Sequence, residues 1–460
     1  FHPLAGCPLV LVRSLPRFPF LVVAHGRTDG RRRRVSWPCG LLGEAPVGGA
    51  VTRYETPADI RRAAVVGAGE MGRGIAAVQA LAGREVRIFD VDDDQLSAAM
   101  EHVEWSVGKA AEKGQVTEDE AEAALGRIST AESLADAVSD TDLVTEAIVE
   151  RQGVKESVFR DLDAHAPEGA ILATNTSGLN VTRLAGVTDR PELVCGTHWF
   201  NPPMLMELVE VIYTEHLDPN VADVMVGYIE DIGKTPIRCR KDVPSFIVNR
   251  CFRPYGEAAA WLAYYGEAEK EAVDSAMKYR EDFPMGPFEL ADFTGGIQLR
   301  VEGEEDHLED DRLLAYDTRV CPLLHELYEE GHYGRKAGKG YYDYTDRDEP
   351  HIPATAGRDL DPMLVWAPVI NEAAKMVQHD VATVEDVDTG MKLGGNWPVG
   401  PFEKADEVGA KTVVRYCVEW AERHDPFNKA METLPCDLLV ETAKANGRFH
   451  LCPSSTPPRR

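Results

Sequence analysis

Residues 61–76 read RRAAVVGAGEMGRGIA, and the order of residue types in this stretch decides the fold. A short run of small and apolar residues predicts a strand, and Gly67-x-Gly69-x-x-Gly72 follows at once. Ala76, Ala77, Val78, Ala80 and Leu81 then continue the packing face of a helix. Gly67 permits a tight turn, Gly69 lets the backbone approach a pyrophosphate, and Gly72 lets helix and strand pack closely. The helix N-terminus, which includes Glu70 and Met71, offers free N–H groups to phosphates. A second predicted strand, Glu85 to Phe89, ends in Asp90, 18 residues after Gly72. A carboxylate there accepts hydrogen bonds from an adenosine ribose and repels a 2′-phosphate, which favours NAD over NADP. The competing reading of Asp90 is a turn residue before the acidic cluster at 92–94.

Further strand-like runs occur at 142–148, 170–173, 192–196, 208–213 and 235–240, most of them separated by helical patterns. This alternation predicts a doubly wound α/β Rossmann-type domain over about 59–242. In such sheets ligands sit beyond the carboxyl ends of the strands. Glu150, Ser177 and His198 are each read as lying just past one such end, so three polar residues point at one crevice. Taken alone, His198 in GTHWFNPP (196–203) also fits a half-buried histidine with one satisfied hydrogen bond.

The net charge of the 460 residues is −28, yet residues 1–54 carry +6, leaving −34 on the rest. Such a body argues against a nucleic-acid partner. Lysine is scarce, 15 against 34 arginines, as on proteins of salt-accumulating organisms or on an acidic protein of a high-GC genome. No apolar run reaches the 18 or so residues of a membrane span, so no membrane partner is expected. Nine scattered cysteines without a CxxC pair fit reduced thiols in a cytoplasm, with no disulfide framework and no metal site. Residues 1–58, with RRRR at 31–34 and no methionine before Met71, read as a disordered segment or a gene-model extension.

TEAIVE (145–150), ATNTSGL (173–179), THWFNPP (197–203) followed by MELVEVI (206–212), DVPSFIVNR (242–250), FPMGPFELADFTG (283–295) and GRKAGKGYYDY (334–344) together resemble the L-3-hydroxyacyl-CoA dehydrogenases. The resemblance runs in order over about 60–346. It implies oxidation of L-3-hydroxyacyl-CoA to 3-oxoacyl-CoA with NAD, in fatty acid β-oxidation or short-chain acyl-CoA metabolism. A neutral imidazole near pH 7 suits removal of a hydroxyl proton, and a carboxylate on its far nitrogen fixes the tautomer. The family match makes His198 the general base and Glu210 that carboxylate. Ser177 and Asn249 match residues that bind the substrate oxygen or hold the histidine. Glu150, Lys155, Ser177, Asn201 and Lys336 match cofactor contacts, and Ser106 and Lys113 match contacts to coenzyme A. Two departures stand out: Trp199 where the family commonly has Phe, which touches pocket shape, and Ser245 where it commonly has Gly. An HWxNPP-like pattern also occurs in gulonate and carnitine dehydrogenases, so a free hydroxy acid is the rival substrate. An NAD-binding protein without turnover is the remote alternative.

The chain beyond 346 contains the helical unit again. VDSAMKYREDFPMGPFELADFTG (273–295) and VDTGMKLGGNWPVGPFEKADEVG (387–409) share 12 of 23 positions. Aligning Glu257 with Glu372 puts Leu364 and Val365 where Asn249 and Arg250 stand, so the copy has lost its catalytic polar pair. The resemblance implies a Rossmann domain (59–242) and two all-α domains of the 6-phosphogluconate-dehydrogenase C-terminal-like type. These are a helical domain at 243–346 and a degenerate copy at 361–453, with a polar linker at 347–360 and a tail at 454–460. Single-unit relatives dimerise through this helical unit, and the copy is read as its substitute, in a monomer or homodimer.

Overall fold

The computed structural model describes residues 54–305, 310–315, 320–423 and 433–450. Most of the N-terminal segment, the end of the second helical unit and the tail 454–460 lie outside the described residues.

Among the described residues one sheet of eight strands has the order β3-β2-β1-β4-β5-β6-β7-β8. The strands are β1 (Arg62–Val66), β2 (Glu85–Phe89), β3 (Ile128–Thr130), β4 (Leu143–Glu146), β5 (Ile171–Thr174), β6 (Val194–Trp199), β7 (Leu208–Tyr213) and β8 (Thr235–Cys239). All pairings are parallel except β6 with β7. Alternate residues of β1 face opposite layers: Val65 joins the core under one set of helices, Ala64 and Val66 that under the other. Burial on both faces explains why β1 reads as a continuous apolar run rather than an alternating one. The helices of this domain are α1 (Glu70–Leu81), α2 (Asp93–Glu112), α3 (Glu118–Leu125), α4 (Leu134–Val138), α5 (Gln152–His165), α6 (Val181–Ala185) and α7 (Pro219–Asp231).

Two sequence readings need correction here. The strand carrying His198 does not end before it; β6 runs on to Trp199, because antiparallel pairing with β7 extends the ladder. The segment 1–58, read as disordered or a gene-model extension, ends inside the fold: Tyr54 is 3 % exposed, and Pro57 packs so tightly on Gly227 of α7 that a Cβ on Gly227 would lie 2.6 Å from the ring.

The helical region begins with α8 (Val248–Tyr264), α9 (Lys270–Arg280), α10 (Pro287–Thr294), α11 (Gly296–Glu302) and α12 (Pro322–Glu329). It continues with α13 (Met363–Gln378), α14 (Val384–Gly394), α15 (Pro401–Val408), α16 (Ala410–Arg423) and α17 (Asp437–Ala445). The repeat is visible in its hydrogen bonds. Asp274 accepts the N–H groups of Phe288 and Glu289 at the start of α10, both at 2.9 Å. Asp388 does the same for Phe402 and Glu403 at the start of α15, at 2.9 and 3.0 Å.

Phe283 and Trp397, equivalent positions of the two copies, meet with ring centroids 4.9 Å apart. One continuous core joins both copies to Leu208, Ile212 and Ile237 of the sheet. The stretch read as a polar linker also packs: Arg280 donates to the carbonyls of Gly357, Arg358 and Leu360, and Ile352 is buried. Backbone carbonyls recruited by a distant arginine are invisible to composition.

Candidate active site

The turn after β1 has the shape a dinucleotide needs. Gly67 has φ +102°, and a Cβ there would lie 2.5 Å from the Ala147 carbonyl oxygen. At Gly72 a Cβ would lie 1.8 Å from the Gly67 oxygen, so helix and turn close only around glycine. Gly69, the N-cap of α1, has open space where its side chain would be and no side-chain cap on the first helical amides. A close-approach glycine beneath free helix-terminal N–H groups, Glu70 and Met71 among them, fits a bound pyrophosphate. Asp90 lies at the end of β2, where its Oδ2 accepts the Ala68 N–H at 2.7 Å and its Oδ1 that of Asp92 at 3.1 Å. The carboxylate therefore also ties down the glycine turn.

On the neighbouring half of the sheet, β6 and β7 place His198 directly opposite Glu210. His198 Nδ1 is hydrogen-bonded to Glu210 Oε2, and both side chains are buried, His198 at 5 % and Glu210 at 0 % exposure. The other carboxylate oxygen, Oε1, accepts the backbone N–H groups of Ile247 at 3.0 Å and Val248 at 3.1 Å. A carboxylate at Glu210 can only accept, so a neutral imidazole hydrogen-bonded to it donates from Nδ1 and keeps its lone pair on Nε2. Nε2 has no hydrogen-bond partner among the described residues. Phe200 and Phe246 flank the ring, with centroids 4.6 and 5.8 Å away. The amides that Glu210 accepts follow Ser245 and Phe246, whose φ values are +65° and +53°. Each such residue costs about 1–3 kcal/mol, and the departure from Gly at Ser245 falls on a left-handed position.

Glu150 organises the next loop. Its Oε1 accepts the Thr176 hydroxyl at 2.6 Å and the Ser177 N–H at 2.8 Å. The Asn249 amide donates to the Ser177 carbonyl at 3.2 Å, joining α8 to the loop after β5. Arg312, which sequence reasoning missed, donates to the Gly178 carbonyl at 2.8 Å and the Leu179 carbonyl at 3.2 Å, and pairs with Asp242 at 2.6 Å. Burial pushes the Asp242 carboxyl up, and Arg312 opposes that shift. Arg312 lies in no motif, and only the tertiary fold brings it to the site.

The other expected residues have partners or positions of their own. Lys155 is 1 % exposed, with Nζ 2.6 Å from the buried Glu146 and 3.4 Å from Glu150 Oε2. It supports the Glu150 loop from beneath and presents no free ammonium to a cofactor. Lys336 sits in a 3-10 turn (Arg335–Ala337) of the helical region, where Gly334 approaches the Asp292 carbonyl; among the described residues no bond links it to the crevice. Asn201 is exposed and precedes a cis Pro202. Ser106 donates to the Val103 carbonyl at 3.0 Å, and Lys113, at the C-cap of α2, is exposed. Trp199 does not shape the pocket: it alternates away from His198 into the core beneath α1, with its indole N–H unpartnered among the described residues. Asn175, also missed, accepts the Trp199 backbone N–H at 2.9 Å and holds β6 in place.

The family model for the 3-hydroxyacyl-CoA dehydrogenase NAD-binding domain matches residues 62–243. That for the 3-hydroxyacyl-CoA dehydrogenase C-terminal domain matches twice, at 246–344 and 364–448. The chain belongs to the 3-hydroxyacyl-CoA dehydrogenase family. It is an oxidoreductase acting on a CH–OH group, and its cofactor is NAD. A 3-hydroxybutyryl-CoA dehydrogenase of Bradyrhizobium diazoefficiens is 41 % identical over 291 residues, 62 % of this chain and 96 % of that protein. A fatty acid oxidation complex subunit alpha of Idiomarina loihiensis is 32 % identical over 435 residues, 89 % of this chain and 58 % of that protein. The crystal structure of 3-hydroxybutyryl-CoA dehydrogenase from Escherichia coli K12 superposes with a TM-score of 0.73 at 26 % identity, covering 84 % of this chain and 99 % of the other. No helix among the described residues is long and apolar enough to cross a membrane.

Proposed function

We propose that this chain oxidises the L-3-hydroxyl of a short-chain 3-hydroxyacyl-CoA to the 3-oxo compound, with His198 as general base. The observation that carries this reading is the relay from two backbone amides through Glu210 to Nδ1 of His198, which leaves Nε2 the basic nitrogen. NAD, when bound, supplies the nicotinamide that accepts hydride from C3. Nε2 takes the hydroxyl proton as the C3–O single bond becomes a carbonyl, so one alcohol gives one ketone, NADH and a proton. Glu210 stabilises the imidazolium that forms and keeps the ring from turning. Ser177 and Asn249, joined by the bond from the Asn249 amide to the Ser177 carbonyl, are assigned the hydrogen bonds to the substrate oxygen. Glu150 orders that loop, and Ser106 with Lys113 offers a hydroxyl and an ammonium to a coenzyme A phosphate.

The domain boundaries proposed for this activity are 59–242, 243–346 and 361–453. The test compares NAD reduction with 3-hydroxybutyryl-CoA, a longer 3-hydroxyacyl-CoA, gulonate and carnitine, in wild type and His198→Gln. The expected result is turnover of the acyl-CoA substrates only, lowered in His198→Gln by the ~10²–10⁴-fold typical of a positioned acid–base group. Near-normal turnover in that variant would remove His198 from the chemistry.

A further inference from the structure

The second helical unit lacks the Asn–Arg pair of the first, yet it reaches the catalytic machinery through a buried ion pair. The turn that aims the Ile247 and Val248 amides at Glu210 contains two consecutive left-handed non-glycine residues, Ser245 and Phe246. Arg250 closes this turn. Its backbone N–H donates to the Ser245 carbonyl at 3.1 Å and its Nη1 to the Pro244 carbonyl at 3.1 Å. Its Nη2 donates to the Leu314 carbonyl at 2.6 Å.

Arg250 is anchored in turn by Glu372 of α13, 122 residues away in the chain, whose Oε1 accepts from Nε at 2.6 Å. Lys375 holds the other oxygen of Glu372 at 3.0 Å. Arg250 is 2 % exposed and Glu372 7 %, so the pair is shielded from solvent screening. The brace runs in one direction only. The aligned counterpart of Glu372 is Glu257, which is held instead by the Trp261 indole and Arg300, and the counterpart of Arg250 is the apolar Val365.

We infer that Glu372 is a positioning residue for the dehydrogenase reaction. Resting on the reading of His198 as the base, the inference gives the degenerate unit a task beyond covering an apolar face. Glu372 fixes Arg250, Arg250 fixes the strained turn, the turn's amides fix Glu210, and Glu210 fixes the histidine ring. A merely structural role would lower the unfolding temperature without acting through Glu210.

The experiment uses the full chain carrying Glu372→Gln, assayed with NAD and 3-hydroxybutyryl-CoA well below its unfolding temperature, alone and combined with Glu210→Gln. Alone, it should lower kcat by about tenfold with KM for NAD within about twofold; combined, the further loss should be under about twofold, since residues acting in one relay are not additive. Arg250→Lys, which keeps the charge but not the fork of donors, should give the same pattern and serves if Glu372→Gln does not fold. Wild-type kcat in the folded variant overturns the inference. So does an equal loss in both backgrounds, because the effect would then bypass Glu210. Undiminished turnover in His198→Gln would instead sink the base assignment, whatever Glu372→Gln does.

Discussion

Replacing Glu210 by glutamine tests the relay most directly, because the site forces the amide to choose an orientation. Glu210 accepts from three donors: the His198 ring and the Ile247 and Val248 N–H groups. A glutamine has one acceptor oxygen. If that oxygen faces the histidine, two buried amides confront an NH₂ group, at about 1–3 kcal/mol for each unsatisfied donor. If it faces the two amides, the NH₂ points at Nδ1, which must then accept, and the proton moves to Nε2. The second arrangement costs less and holds the histidine in the wrong tautomer for taking a proton from substrate. In a comparable carboxylate–histidine relay of a serine protease, the wrong tautomer costs about 10⁴ in kcat. Here the loss should fall between about 10² and 10⁴, with NAD affinity kept because the glycine turn is untouched. Initial rates of NADH formation give kcat, and calorimetric titration with NAD gives the binding constant. A kcat within about threefold of wild type would refute the tautomer argument.

Asp90→Ser should weaken NAD binding and narrow the preference over NADP, since the same carboxylate holds the Ala68 amide; comparable or better kcat/KM with NADP in the wild type would contradict the role given to Asp90. Glu372 gives the acid limb of stability. Burial pushes its carboxyl up, but Lys375 and Arg250 outweigh that and bring it down to about 2 from an ordinary 4.5. A depressed folded-state value means stability that is present above pH about 4.5 and lost as pH falls toward 2, at most about 3 kcal/mol. Glu372→Gln should therefore flatten acid unfolding in that window, and an unchanged acid limb in denaturant titrations would count against the pair. Removing 350–460 should expose the face where α8 meets α13 and the Phe283–Trp397 contact, giving dimers or aggregates by light scattering; a soluble monomer of unchanged melting temperature would refute it.

Much of this protein is written locally. The Gly67-x-Gly69-x-x-Gly72 turn, Asp90 at the end of β2 and the alternation of strands with helices depend on short-range sterics and on periodicity, so the sequence alone specifies the Rossmann domain and its cofactor. The repeat is also legible, because the capping aspartates Asp274 and Asp388 and the glycines Gly286 and Gly400, where a Cβ would strike those aspartates, recur at one spacing. What the sequence could not show is which distant atoms meet. The burial of Lys155 on Glu146, the inward turn of Trp199 and the docking of Arg312 on the Ser177 loop each depend on pairings between elements. The same holds for Arg250 and Glu372: a buried charge is stable only beside its partner, and only the packing of α13 on α8 brings that partner there.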